Sequence, residues 1–163
     1  MRILGIDPGY AIVGYGVVSY DGYNFKPLGY GAITTPADMV FHRRLSTIYN
    51  DMLSIIDTYS PECVGIEKLF FTNNHKTGID VAQARGVILL ALSQRDIPIY
   101  EYTPLQIKQA ITGYGQAEKH QVMEMTRNFL KLKCVPKPDD TADALAVAIC
   151  HGHFSNTINT NLR

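Results

Sequence analysis

Apolar positions change their period along the chain, and each change marks an element. In residues 2–7, 15–20 and 25–34, apolar residues alternate with small and polar ones, the two-residue repeat of strands whose side chains leave on opposite faces. Asp21-Gly22 separates the second run from the third, a turn pair that predicts a hairpin. Over residues 37–59 the spacing becomes helical, with Val40, Leu45, Ile48, Met52, Leu53 and Ile56 on one stripe and Ser60-Pro61 as the stop. A short buried strand at 63–67, a long helix from about 75 to 94 and a strand around 97–102 follow. Thr103-Pro104 opens the next helix as a cap followed by a first-turn proline, and Gly113-Tyr114-Gly115 breaks it. Residues 117–133 read as a further helix, 135–138 as a loop, 140 to about 153 as the last helix, and 155–163 as a polar, frayed tail.

Strands of hairpin type followed by alternating helices and strands predict an α/β fold. The expected sheet is mixed and five-stranded, with three antiparallel N-terminal strands, then parallel additions, flanked by helices. A length of 163 residues suits one core, so residues 1–154 are assigned to a single domain. With 46% hydrophobic and 18% charged residues, ten Tyr and six Phe, disordered, collagen-like and coiled-coil classes are excluded. The apolar runs are far shorter than a membrane span, and Asp7 interrupts the N-terminal run before a signal-peptide core develops. A cytoplasmic location is the expectation. Cys63, Cys134 and Cys150 fit neither a disulfide framework nor a zinc pattern and are expected to be reduced, packed thiols.

Net charge is zero, but it is unevenly distributed. Residues 1–67 hold four Lys/Arg against seven Asp/Glu, residues 68–137 hold ten against five, and residues 138–163 hold one against three. A basic middle between acidic ends suits a nuclease whose carboxylates are masked by cations, and it equally suits ordinary surface charge. Asp7 closes the run Ile3-Leu4-Gly5-Ile6, and Glu67 closes Val64-Gly65-Ile66. Singly, each reads as a rim or turn residue. Together, at the ends of two core strands where acids are disfavoured, they point to one site neutralised by a divalent cation. Asp139, Asp140 and Asp143 open the last helix. One or two acids there would serve as caps and dipole partners, worth about 0.3–1 kcal/mol each. Three exceed that need, and Asp140 and Asp143 project from one face. Carboxylates from two strand ends and one helix can hold two Mg²⁺ ions roughly 4 Å apart, an arrangement that cleaves phosphodiesters.

These residues carry a resemblance. Gly5-Ile6-Asp7-Pro8-Gly9 with Gly14-Tyr15-Gly16, Ile66-Glu67-Lys68-Leu69-Phe70, Gln83-Ala84-Arg85-Gly86, Lys108-Gln109-Ala110 with Gly113-Tyr114-Gly115, Ala117-Glu118-Lys119, and Asp140-Thr141-Ala142-Asp143-Ala144-Leu145 together resemble, in order and over nearly the whole chain, the RuvC family of bacterial Holliday-junction resolvases. The resemblance implies an RNase H-like fold, a homodimer, and Mg²⁺ (with Mn²⁺ substituting), two ions per site. It implies paired symmetric nicks across a four-way DNA junction that leave ligatable 5'-phosphate and 3'-hydroxyl ends, in recombination and repair alongside the RuvA-RuvB branch-migration complex. Its catalytic, metal-binding acids fall on Asp7, Glu67, Asp140 and Asp143, with Asp139 an additional acid beside the motif. Its DNA-binding residues fall on Phe70, Lys108 and Lys119.

Read from the residues alone, Lys108 and Lys119 flank the Gly113-Tyr114-Gly115 break and can reach one phosphate region, or be solvated surface. Of the adjacent Phe70 and Phe71, one suits core packing and the other base stacking; Thr72-Asn73-Asn74-His75-Lys76 suits a polar groove wall or plain loop. On the long helix Ala82 and Gly86 are four apart, with Ile79, Leu89 and Leu90 on their side. That stripe is core or, as the resemblance implies, the dimer interface. Cys150, His151 and His153 suit a frayed helix end better than a transition-metal site. Two rivals remain: an actin-like or sugar-kinase ATPase, which needs two such domains around its nucleotide, and a non-catalytic junction-binding module, which predicts missing acids.

Overall fold

The computed structural model describes residues 1–69 and 75–161. Its elements run β1 (Arg2–Asp7), β2 (Ile12–Tyr20), β3 (Phe25–Thr34), α1 (Phe41–Tyr59), β4 (Cys63–Glu67), α2 (His75–Ser93), β5 (Ile99–Tyr102), α3 (Pro104–Thr112), α4 (Lys119–Phe129) and α5 (Asp139–Asn161). The strands form one sheet in the order β3-β2-β1-β4-β5. β1, β2 and β3 pair antiparallel, and β4 and β5 add in parallel, as the strand patterning predicts. Asp21 builds the β2–β3 hairpin by accepting the Tyr23 and Asn24 amide hydrogens on its carboxylate, with Gly22 at φ 102°. Pro27 is tolerated because β3 lies on the sheet edge.

The period-2 pattern sorts the two sheet faces. Leu4 and Ile6 of β1, with Val64 and Ile66 of β4, pack among Ile48, Met52 and Ile56 of α1 and Ile88 and Leu92 of α2. The intervening residues, Ile3 and Cys63, face a second core with α3, α4 and Leu145 to Cys150 of α5. The middle of α5 is apolar on every side because the sheet covers one flank and α3 and α4 the other. Glycines set how close it comes. A Cβ at Gly5 would overlap the Ala144 carbonyl, and one at Gly14 would overlap the carbonyl of Asp140. Side chains at those strand positions would lift the start of α5 off the sheet.

Some boundaries differ from the sequence reading. α1 starts at Phe41, not residue 37, because Pro36 to Met39 form a turn of their own. α4 stops at Phe129, short of 133, with Lys131 at a left-handed φ of 52°. α5 runs to Asn161, through the segment read as a frayed tail, since no glycine or proline follows Gly152 to break it. His151 is therefore not at a helix end; it is buried, as are Cys63 and Cys150, whereas Cys134 is exposed in the loop after α4. Among the described residues no helix is long and apolar enough to cross a membrane.

Candidate active site

β1 and β4 lie side by side in register, Ile6 opposite Ile66, so the next residue of each strand is an acid at the same edge. Asp7 and Glu67 continue the alternation of Ile3, Gly5, Cys63 and Gly65 and so take the face that carries α5. Gly14, the β2 partner of Asp7, lets the first turn of α5 settle there with its Asp140 backbone against the strand. Three separate chain segments thus place carboxylates at one end of the sheet.

These carboxylates feel one another's charge. Burial and then the negative charges of Glu67, Asp143 and Asp140 push the Asp7 carboxyl up to about 8. Glu67 is raised by burial and by Asp143; Asp143 is raised mainly by burial. Lys119, at the start of α4, opposes all three shifts. Its ammonium lies 3.0 Å from Asp143 Oδ2 and 3.6 Å from Asp139 Oδ2. Partial burial works against that ammonium, and its hydrogen bond to Asp143 together with the charges of Asp143, Asp139 and Asp7 outweighs this and raises its pKa.

Lys108 and Lys119 meet Glu67 and Asp143 around one cavity of about 270 Å³, walled by Pro104, Ile107, Val122 and Ala146. The structure therefore brings both lysines to the acids, as their positions around the glycine break suggest. The apolar wall is what the sequence reading missed. Its only signal is position, since Ile107 and Val122 sit one residue before Lys108 and three after Lys119 on their helices. Asp139 is at the rim: its carboxylate is exposed, 2.6 Å from Lys137 Nζ and 3.6 Å from Lys119 Nζ, and the hydrogen bond from Lys137 is the main cause of its lowered pKa. Phe70, Phe71 and residues 72–74 lie outside the described residues.

The donor set fits a hard divalent cation. These are carboxylate oxygens, and Asp7, Glu67 and Asp143 hold on to protons because burial and mutual repulsion leave their negative charge under-compensated. Among the described residues no three His, Cys, Asp or Glu side chains stand close enough to enclose an ion as they are. Lys119 supplies the nearby positive charge instead.

The helices α1 and α2 on one face, α3 to α5 on the other, and carboxylates gathered at the edge of a mixed five-stranded sheet define an RNase H-like fold. The family model "Crossover junction endodeoxyribonuclease RuvC" matches residues 3–151. A protein of that name from Clostridioides difficile is 56% identical over 163 residues, the whole of this chain and 96% of that protein. One from Desulforamulus reducens is 49% identical over the full length of both. The structure of Thermus thermophilus RuvC in complex with a Holliday junction substrate superposes with a TM-score of 0.92 at 34% identity, covering 96% of each chain. The chain belongs to the RuvC family of crossover junction endodeoxyribonucleases, which hydrolyse phosphodiester bonds of DNA.

Proposed function

We propose that this chain resolves four-way DNA junctions by symmetric nicks on opposing strands. Asp7, Glu67, Asp140 and Asp143 hold two Mg²⁺ ions, for which Mn²⁺ substitutes. The observation that carries this reading is that β1, β4 and the first turn of α5 bring Asp7, Glu67, Asp140 and Asp143 to one end of the sheet, beside a cavity that Glu67 and Asp143 share with Lys108 and Lys119. Likeness to a relative solved on a Holliday junction supports the substrate.

The chain's own residues have distinct tasks in this scheme. The lysines attract and orient a backbone phosphate at the cavity mouth, and Phe70 stacks on a base beside it. Pro104, Ile107, Val122 and Ala146 keep water back and strengthen charge interactions inside. Bound divalent cations supply an activated water and stabilisation of the leaving oxygen, so that 5'-phosphate and 3'-hydroxyl ends result.

A junction is close to two-fold symmetric, and a C₂ pair of sites meets both strands equivalently. α2 offers a surface for this. Ile79 is 60% and Leu90 52% exposed, and nothing lies within 4 Å of a Cβ built on Gly86. At 100° per residue these three share one line, while Ala82 and Leu89 are turned 60–80° toward the molecule. Leu89 accordingly packs against the core and Ala82 lines a hollow with Arg85, so the exposed stripe is narrower than the sequence suggests. In the cell the homodimer would act in the cytoplasm, in recombination and repair, with the RuvA-RuvB complex.

The test is cleavage of a synthetic four-way junction beside a linear duplex of the same sequence, with and without Mg²⁺. Paired nicks in the junction alone, lost on chelation, are expected. Equal cleavage of the duplex, or cleavage in EDTA, would overturn the reading.

A further inference from the structure

We propose that Lys137 is a further DNA-binding residue, whose ammonium takes a backbone phosphate next to the one that Lys108 and Lys119 hold, exchanging for it the carboxylate of Asp139. The inference rests on the junction-resolving function proposed above and adds a contact that function does not use. The Lys137 side chain is 74% exposed, and its Nζ lies 2.6 Å from Asp139 Oδ1. The other oxygen of the same carboxylate is 3.6 Å from the Lys119 ammonium, which Asp143 holds more closely, at 3.0 Å. One carboxylate thus sits between two ammonium groups, an oxygen toward each, at the rim of the acid site. A phosphodiester offers the same pair of anionic oxygens to the same two donors. The backbone that carries Lys137 is held in place. Pro136 is buried, and with Pro138 it fixes φ on either side of the lysine. The Thr141 amide donates to the Pro138 carbonyl at 3.0 Å and ties the loop to the first turn of α5, which is itself seated on Gly14.

An isolated pair of exposed Lys and Asp side chains is ordinary surface; the neighbours of this one identify the occupant. Lys119 shares the acid cavity with Lys108 and the Asp139 carboxylate with Lys137. Three successive segments, α3, α4 and the loop before α5, therefore each bring one lysine to the border of the acids. A DNA strand carries one charge per nucleotide, and a set of adjoining cations is what holds its successive phosphates. The exchange is favourable on both sides. An exposed ion pair contributes little to stability, so leaving Asp139 costs little, whereas a lysine that meets a phosphate releases counterions condensed on the DNA. Asp139 is not left bare, because Lys119 still faces it.

The experiment measures binding in EDTA to a synthetic four-way junction over a series of salt concentrations, with a linear duplex for comparison. Wild type, Lys137→Ala, Lys137→Arg, Lys131→Ala, Asp139→Asn and the double variant of Lys137→Ala with Asp139→Asn are compared. Lys131 is the control, an exposed lysine beyond the far end of α4 from Lys119, where Phe129 packs on Phe25 and His153. Lys137→Ala should bind the junction several-fold more weakly, with a slope of log affinity against log salt shallower by about one. Lys137→Arg and Lys131→Ala should stay near wild type in both. Asp139→Asn should bind more tightly than wild type, and the gain should shrink when Lys137 is already alanine, since the freed lysine is its main source. Melting temperatures should match throughout. Junction preference in wild type with unchanged affinity and slope in Lys137→Ala overturns the inference alone. So does an equal loss in Lys131→Ala or Lys137→Arg, an equal gain from Asp139→Asn in both backgrounds, or a lowered melting temperature of Lys137→Ala. Wild type that binds junction and duplex alike overturns the junction-resolving function and this inference with it.

Discussion

Replacing Asp7 by Asn should stabilise the metal-free protein while abolishing cleavage, because the same charge that the chemistry requires is a burden to the fold. The native Asp7 carboxyl is raised from 3.8 to about 8 by burial and then by Glu67, Asp143 and Asp140. A carboxyl that holds its proton more tightly folded than unfolded gives its full stability below about pH 4. That stability is lost as pH climbs to about 8. At pH 7 the unfolded carboxyl has been ionised for about three units, and each unit is worth about 1.4 kcal/mol, so the upper bound on the loss is about 4 kcal/mol. Local relaxation and water entering the open edge of the site reduce this to about 2 kcal/mol.

Asparagine is nearly isosteric and does not titrate, so it removes the loss. For a domain of this size, that corresponds to a rise of about 4–8 °C in melting temperature in EDTA at pH 7. Thermal unfolding from pH 5 to 8 checks it. Wild type should lose melting temperature with rising pH and the variant should lose less, with Glu67 and Asp143, both also raised, accounting for the slope that remains. Saturating Mg²⁺ should raise the wild-type melting temperature and leave Asp7→Asn nearly unmoved. A variant less stable than wild type in EDTA, or equal stabilisation of both by Mg²⁺, would refute the reasoning.

Asp140→Asn and Asp143→Asn should each lose junction cleavage by at least a hundredfold, whereas Asp139→Asn, whose nearer partner is Lys137 and which meets Lys119 only at 3.6 Å, should keep most of it; single-turnover rates on one junction decide this. Tyr102→Phe should cost about 1–3 kcal/mol, read as a fall in denaturation midpoint at constant slope. It removes the hydroxyl hydrogen-bonded at 2.7 Å to the Nδ1 of buried His151, whose pKa burial lowers to about 4 and whose ring is therefore neutral. Gly86→Leu should turn a sedimenting dimer into monomer and leave junctions nicked on one strand, with Mg²⁺-dependent stabilisation intact. An unchanged dimer would move the interface off α2.

How much of this was legible in the sequence follows from where each residue's environment is made. The strands of β1, β3 and β4 declared themselves because a two-residue period is local, and Thr103-Pro104 marked the start of α3 because a cap with a first-turn proline is complete within four residues: Thr103 and Gln106 close a capping box in the structure. The ends of α1, α4 and α5 were less legible, since apolar spacing says where a helix can run and not where a turn such as Pro36 to Met39 competes with it. The acids were legible as positions, through their odd placement at the ends of apolar runs. The coupling between them was not, because it depends on contacts between segments far apart in the chain. The residues that create those contacts have no chemistry of their own. In the sequence Gly5 stands inside the apolar run that Asp7 closes and Gly14 just before the second strand run, and only the position of α5 shows that each is a seat for a helix backbone. A Cβ at Gly14 would displace the carbonyl of Asp140 and with it the first turn that presents Asp140 and Asp143. That makes the glycine as necessary to the arrangement of the site as the carboxylates it allows to meet.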